Sequence, residues 1–272
     1  MHQEKITLSG AQETLLATLY GRALDNREAS PILGDREAGR AVERIAYDFA
    51  GTGMRRVTAA GVALRARQLD EWTAEFLAAH PEATVLHLAC GLDTRPHRLA
   101  PPPSVRWFDV DYPEVLDLRE RLLPRPGGDY RTIASSVTDD GWLAEVPADR
   151  PTVAVFEGLT MYLREEEGRR LIQRITGRFG TGQLLFDCYG TFGIRIQKLN
   201  RPVRNAGATL YWGIDDPREL EGWHDGLRCL DDLRAVDMPG IERFPAGGRI
   251  AMRVMAALPG FRDAGRILRY AF

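Results

Sequence analysis

Apolar positions recur every three to four residues along the first third of the chain and run together in short blocks through the middle. Residues 10–27 place Leu15, Leu16, Leu19 and Leu24 on one face, which predicts a helix. Ser30-Pro31-Ile32-Leu33-Gly34-Asp35 reads as a turn. A second helix is expected from there to about Ala50, where Gly51-Thr52-Gly53 breaks it. A longer helix is expected from about Arg55 to Ala79, with Ala63, Leu69, Trp72, Phe76 and Leu77 as its apolar positions and His80-Pro81 as its stop. Strands follow at 84–89, 105–110, 130–134, 151–156 and 183–188, with helices starting near Arg95, Pro113, Asp140 and Arg164. This alternation predicts an α/β fold, a parallel sheet with helices on both faces. The stretch 190–226 interrupts it with Phe192, Tyr211, Trp212 and Trp223 among Arg195, Arg201, Arg204 and His224, as a lid inserted after the fifth strand would. A strand near 227–231, a helix near 247–258 and a strand at 266–272 complete the pattern. The expected organisation is one domain: a helical segment over 1–80, a core over 84–189, the lid, and a strand–helix–strand tail over 227–272.

The first strand ends in Ala89-Cys90-Gly91-Leu92-Asp93-Thr94-Arg95, and the second ends in Asp109-Val110-Asp111, with Asp111 twenty residues after Gly91. Small residues at one strand end and an acid at the next lay out a nucleotide-binding crevice. The turn is not G-x-G-x-x-G and lacks the glycines that seat a pyrophosphate. A nucleoside cofactor without phosphates fits better than NAD, and S-adenosylmethionine is the expected one.

Composition narrows the partners. The 272 residues carry a net charge of −2, with 44% hydrophobic and 27% charged residues. That is ordinary for a globular protein and gives no electrostatic case for nucleic acid or an anionic membrane. Met1 to Gly10 is polar, no segment has the apolar length of a membrane helix, and the chain is expected in the cytoplasm. Of 36 basic residues only Lys5 and Lys198 are lysine, which reads as coding bias. Cys90, Cys188 and Cys229 show no metal spacing and read as small residues of a reducing compartment.

With these motifs the chain resembles the leucine carboxyl methyltransferase family, and most closely its bacterial polyketide-synthesis O-methyltransferase branch. The resemblance rests on Thr18-Leu19-Tyr20-Gly21-Arg22-Ala23 with Pro31-Ile32-Leu33-Gly34-Asp35, on Arg65-Ala66-Arg67-Gln68-Leu69-Asp70, and on Leu88-Ala89-Cys90-Gly91-Leu92-Asp93-Thr94-Arg95. It continues through Phe108 to Val115, Phe156-Glu157-Gly158-Leu159-Thr160-Met161-Tyr162-Leu163 and Trp212-Gly213-Ile214-Asp215-Asp216-Pro217. It implies a class I S-adenosylmethionine-dependent methyltransferase sheet and an oxygen acceptor, often a carboxylate. It implies a cofactor site of Arg65, Arg67, Ala89, Cys90, Gly91, Asp111, Tyr112, Ser136, Val137, Glu157 and Gly158. Arg65 matches the arginine that pairs with the cofactor's carboxylate, and Asp111 takes the ribose hydroxyls. Tyr20, Arg22, Tyr189, Phe192, Arg195, Tyr211 and Trp212 are expected at the acceptor, and Glu157, Tyr162 and His224 are the catalytic candidates, with no metal. Ser136 stands where the family usually has an adenine-binding Asp, with Asp139 or Asp140 as substitutes. Ala89 stands where the family often has Gly.

Other residues take structural readings. Asp93 stabilises its turn, His87 packs in its strand, His97 lies on the exposed side of a helix, and Glu165-Glu166-Glu167 form a helix's acidic first turn. A carboxylate acceptor is ionised at neutral pH and needs only positioning, whereas a phenol benefits from a base. No His–Asp pair is evident in the strand-end loops, which favours a small-molecule carboxylate, an aromatic polyketide acid by the resemblance. Arg195 or Arg201 could hold such an acid, and His224 is the candidate base for a phenol. The alternatives are a phenolic O-methyltransferase, a non-catalytic cofactor-binding protein of the same fold and a nicotinamide-dependent reductase. The chain is expected as a monomer or homodimer.

Overall fold

In chain order the elements are β1 (Glu4–Lys5), α1 (Thr14–Asp25), α2 (Arg36–Arg44), β2 (Ile45–Ala46), α3 (Arg56–Ala79), β3 (Thr84–Leu88), α4 (Arg95–Leu99), β4 (Arg106–Asp111), α5 (Pro113–Leu122) and β5 (Asp129–Ala134). Then come β6 (Thr152–Phe156), α6 (Glu165–Arg178), β7 (Gly182–Tyr189), α7 (Thr191–Arg195), α8 (Arg201–Asn205), β8 (Arg228–Arg234), α9 (Ala246–Ala257) and β9 (Gly265–Ala271). The computed structural model describes residues 4–5 and 10–272, so most of the polar opening Met1 to Gly10 lies outside the described residues.

Seven strands form one sheet in the order β5-β4-β3-β6-β7-β9-β8. The first five are mutually parallel, and β9 runs antiparallel between β7 and β8. The central strands β3 and β6 are buried along their whole length, which explains their continuous apolar runs. One face packs Leu86, Leu88, Phe156 and Phe186 against Ile172 and Ile175 of α6 and against Trp142. The other packs Val85, Trp107 and Val155 against Leu69, Trp72 and Phe76 of α3. A third cluster joins α1 and α2 to α5 through Leu16, Leu19, Ala41, Leu118 and Leu122. The parallel strands therefore end together at Leu88, Asp111, Ala134, Phe156 and Tyr189, below α1 and the 190–226 insertion.

Two expected helices are shorter than their patterns suggest. The second stops at Arg44, because the β-branched Ile45 takes extended backbone (φ −101°, ψ 127°) and pairs with Glu4. Arg44 also donates to the carbonyls of Arg121 and Leu122, which anchors that end on α5. The helix expected from Asp140 is one 3-10 turn, Trp142–Glu145, since Pro147 and Pro151 forbid its continuation. Glu165, Glu166 and Glu167 do open α6, with Glu167 accepting the Arg164 amide at 2.7 Å. His97 is half-buried, not on an exposed face, and burial lowers its pKa.

Among the described residues no helix is long and apolar enough to cross a membrane, and no group of His, Cys, Asp and Glu could hold a metal ion. The three cysteines are free.

Candidate active site

The turn after β3 is tight enough to require unusual backbone. Gly91 sits at φ +50° and Ala89 at φ +48°, a conformation that costs an L-residue about 1–2 kcal/mol. Asp111, at the end of the adjacent strand, is drawn into this turn. Its Oδ2 accepts the Gly91 amide at 2.7 Å and its Oδ1 accepts the Tyr112 amide at 2.8 Å. Burial pushes the Asp111 carboxyl up, and these two amides partly offset it. Each carboxylate oxygen has a second lone pair, so the group can still accept from a ligand. Cys90 between them is buried, and burial holds its thiol well above the usual range, so it stays protonated.

Glu157 stands after β6, where it meets α3. Arg65 contacts Glu157 Oε1 through Nε at 3.0 Å and Nη2 at 2.9 Å, and Asp187 Oδ2 through Nη1 at 2.9 Å. Arg95 holds the other Glu157 oxygen at 2.9 Å and continues to Asp70 at 2.7 Å and Asp93 at 3.1 Å. Burial raises the Glu157 carboxyl, but Arg65 and Arg95 bring it below its ordinary value. Burial works against the charge on Arg65, and Asp187 and Glu157 hold its pKa up. Asp187 also accepts the Gly158 amide at 2.6 Å. Gly158 itself has φ +69° and open space where a Cβ would stand.

Of these groups, Arg65, Ala89, Cys90, Gly91, Asp93, Asp111, Glu157 and Gly158 line one cavity of about 350 Å³ over the carboxyl ends of the strands, with Asp187, Arg95 and Asp70 buried behind them. Of the expected residues, Arg22, Arg65, Ala89, Cys90, Gly91, Asp111, Tyr112, Ser136, Val137, Glu157, Gly158, Tyr162 and Tyr189 line it. Arg22 is buried and committed, with Nη2 donating to the Leu92 carbonyl and Nε paired with Asp35 at 3.2 Å. In the place of the usual adenine-binding acid stand Ser135, Ser136 and Thr138, the last two sharing a hydroxyl hydrogen bond of 2.8 Å. Asp139 and Asp140 do not line the cavity; Asp140 is exposed and pairs with Arg174.

Several expected residues lie elsewhere. Arg67 is on the outer face of α3, paired with Glu71 at i+4. Tyr20 stacks on Phe49 with centroids 5.1 Å apart. Phe192 turns toward Phe261 and the turn at Gly260. Trp212 is 6% exposed and packs over Gly168 of α6, where a Cβ would meet its ring at 2.1 Å. Tyr211 faces solvent under the Arg164 guanidinium. Arg195 and Arg201 are not among the lining residues. His224 lies beside the chain end at Phe272, whose carbonyl pairs with Gly182 at the start of β7. That is the amino end of the parallel strands, opposite the carboxyl ends that carry the cavity, so His224 cannot serve as base there.

Asp187 was not evident as a site residue: in sequence it is one acid inside the apolar run Leu184-Leu185-Phe186-Asp187. A buried acid just before a parallel strand's carboxyl end is the signal that marks it. Asn200 and the Asp70–Arg95–Arg98 network likewise become visible only in three dimensions.

Comparison with known proteins agrees with this architecture. Residues 15–176 match the family described as Leucine carboxyl methyltransferase. The chain is 44% identical over 275 residues to the tetracenomycin polyketide synthesis O-methyltransferase TcmP of Streptomyces glaucescens, covering 99% of each chain. It is 39% identical to the S-adenosyl-L-methionine-dependent methyltransferase dpfgK of Gibberella zeae, covering 97% of this chain and 94% of that one. Among solved structures, a DUF574 family protein from Streptomyces avermitilis superposes with a TM-score of 0.58 at 13% identity, covering 92% and 96% of the two chains. At that identity the likeness concerns the fold alone.

Proposed function

The chain belongs to the leucine carboxyl methyltransferase family, and on that premise we propose that its cavity binds S-adenosylmethionine and methylates a carboxylate oxygen of an aromatic polyketide acid. It is an S-adenosylmethionine-dependent O-methyltransferase by its kinship with the two enzymes above. The observation that carries the placement of the cofactor is the joining of Asp111, Gly158 and the Arg65–Glu157 pair in one cavity.

The residues present fit the cofactor. Asp111 offers one remaining lone pair on each oxygen to the two ribose hydroxyls. Gly158 leaves open a space that any side chain would fill. Arg65 has N–H groups beyond those given to Glu157 and Asp187, and its planar fork suits a carboxylate. Glu157 supplies negative charge for the ammonium and sulfonium groups, and Asp187 behind it holds Arg65. The Ser135, Ser136 and Thr138 hydroxyls are the polar groups available to the adenine.

S-adenosylmethionine supplies its methyl as an electrophile, the S–CH3 bonding pair staying with sulfur as the O–CH3 bond forms, so a carboxylate acceptor releases no proton. The chain's task is then to position and desolvate. Among the described residues no exposed histidine lines the cavity, which supports a carboxylate over a phenol. The histidine that lines the cavity, His87, is 1% exposed and holds Asp109 through Nδ1 at 2.8 Å. Tyr162 is pushed up to about 12 by burial, which makes it a donor at neutral pH. Calorimetric titration with S-adenosylmethionine and with NAD tests the cofactor assignment: binding of the first and none of the second is expected, and the reverse would contradict it.

A further inference from the structure

We propose that the Tyr189 hydroxyl holds the acceptor's carboxylate, and that Asn200 is the positioning residue that leaves the Tyr189 proton free for it. The inference rests on the carboxylate reading above and names the group that would select such an acceptor.

Tyr189 ends β7 at the carboxyl edge of the sheet and lines the cavity. Its backbone is fixed: its carbonyl accepts the Ile214 amide at 2.8 Å, and a Cβ on the following Gly190 would stand 2.4 Å from the Asp263 carbonyl. The phenol therefore projects from a rigid floor. Asn200 comes from the insertion above and donates through Nδ2 to the Tyr189 hydroxyl at 3.1 Å.

Asn200 occupies the position before α8 where an Asn side chain ordinarily accepts a first-turn amide. It makes no such bond. A residue that forgoes a local preference is committed elsewhere, and here its amide is turned to the phenol. A hydroxyl that accepts from an amide keeps its own proton to donate. Among the described residues nothing takes that proton, and burial raises the Tyr189 pKa so that it is retained at neutral pH.

Among the described residues, the neighbouring phenol and guanidinium are engaged elsewhere. Tyr162, packed beside Tyr189 against Met161 and Val203, donates to Thr14 at 3.2 Å. Arg65 is held by Glu157 and Asp187, and its remaining N–H groups are those assigned above to the cofactor's carboxylate. The acceptor end thus presents a neutral hydrogen-bond donor instead of a cation, among Met54, Val62, Met161 and Pro202. A neutral donor fixes one carboxylate oxygen and leaves the charge in place for the other to attack. A guanidinium pair would stabilise the ground state and blunt the nucleophile.

The test uses Tyr189→Phe, Asn200→Asp and the double variant, with benzoate, 2-naphthoate and anthraquinone-2-carboxylate as probes. Each acid is titrated calorimetrically into protein saturated with S-adenosylhomocysteine, and S-adenosylmethionine affinity is measured separately. Tyr189→Phe, nearly isosteric, should lose about tenfold in affinity for the acids with cofactor affinity unchanged. Asn200→Asp should lose at least as much, because its carboxylate captures the Tyr189 proton and also repels the acid, and its loss should be smaller in the Tyr189→Phe background, where only the repulsion remains. Wild-type acid affinity in Tyr189→Phe, or losses that multiply in the double variant, would overturn the inference while leaving the methyltransferase reading intact. If the wild-type protein binds S-adenosylhomocysteine but none of the acids, the inference falls with the carboxylate reading on which it rests.

Discussion

The backbone amide of Gly91 donates to the carboxylate of Asp111 at 2.7 Å, tying the ends of β3 and β4 together. One acid thereby closes the turn and faces the cavity. Asp111→Ala should weaken S-adenosylmethionine binding by roughly ten- to a hundredfold, a total loss of about 1.5–3 kcal/mol for the charge-assisted ribose contacts. Calorimetry on a variant shown to be folded by circular dichroism checks this. Unchanged affinity would mean the ribose lies elsewhere.

Arg65 bridges Glu157 and Asp187, and a lysine cannot span both as a planar fork does. Arg65→Lys should lower cofactor affinity about tenfold although the charge is kept. It should also cost about 1–3 kcal/mol of stability through the carboxylate left without its partner. Urea unfolding and calorimetry on the same preparation separate the two effects. Equal behaviour of Lys and Arg would remove Arg65 from the cofactor site.

Ala89 holds a left-handed backbone where glycine is at ease. Ala89→Gly should raise stability by up to about 1 kcal/mol, the relieved strain being partly offset by the freer unfolded chain. A drop in midpoint denaturant concentration would show that the turn is not strained.

Asp109 is buried under the site, paired with Arg119 at 2.7 Å and bonded to His87 Nδ1 and Trp107 Nε1, each at 2.8 Å. Burial opposes its charge, but Arg119 and His87 take its pKa down to about 2 from 3.8. The folded value lies below the unfolded one. Its contribution, about 2 kcal/mol, is therefore present above pH 3.8 and lost as pH falls through about 2. Asp109→Asn should be markedly less stable than wild type at pH 7, and the gap should narrow across that window in urea titrations. A gap independent of pH would contradict the ion-pair account.

The parts legible in sequence are those fixed by short-range pattern. Strand ends followed from apolar blocks, and Gly91 and Asp111 from their position at those ends. Arg65 and Glu157 followed from family motifs. What stayed hidden depends on packing between distant segments. Trp212 looked like a lid aromatic, yet Gly168 leaves a hollow on α6 that takes its ring into the core. His224 looked like a lid base, yet the chain after it returns as β8, whose start lies level with the amino ends of the parallel strands and so opposite the cavity. The role of Asp187 depends on Arg65 arriving from α3 to pair with it, a contact the sequence does not carry.

The most direct test follows a labelled methyl group from S-adenosylmethionine to an aromatic polyketide carboxylic acid and then treats the product with mild base. Transfer of label that is released as methanol identifies a methyl ester and is the expected result. Label retained through base as an aryl ether would contradict the carboxylate assignment, and no transfer to either oxygen would contradict the O-methyltransferase account itself.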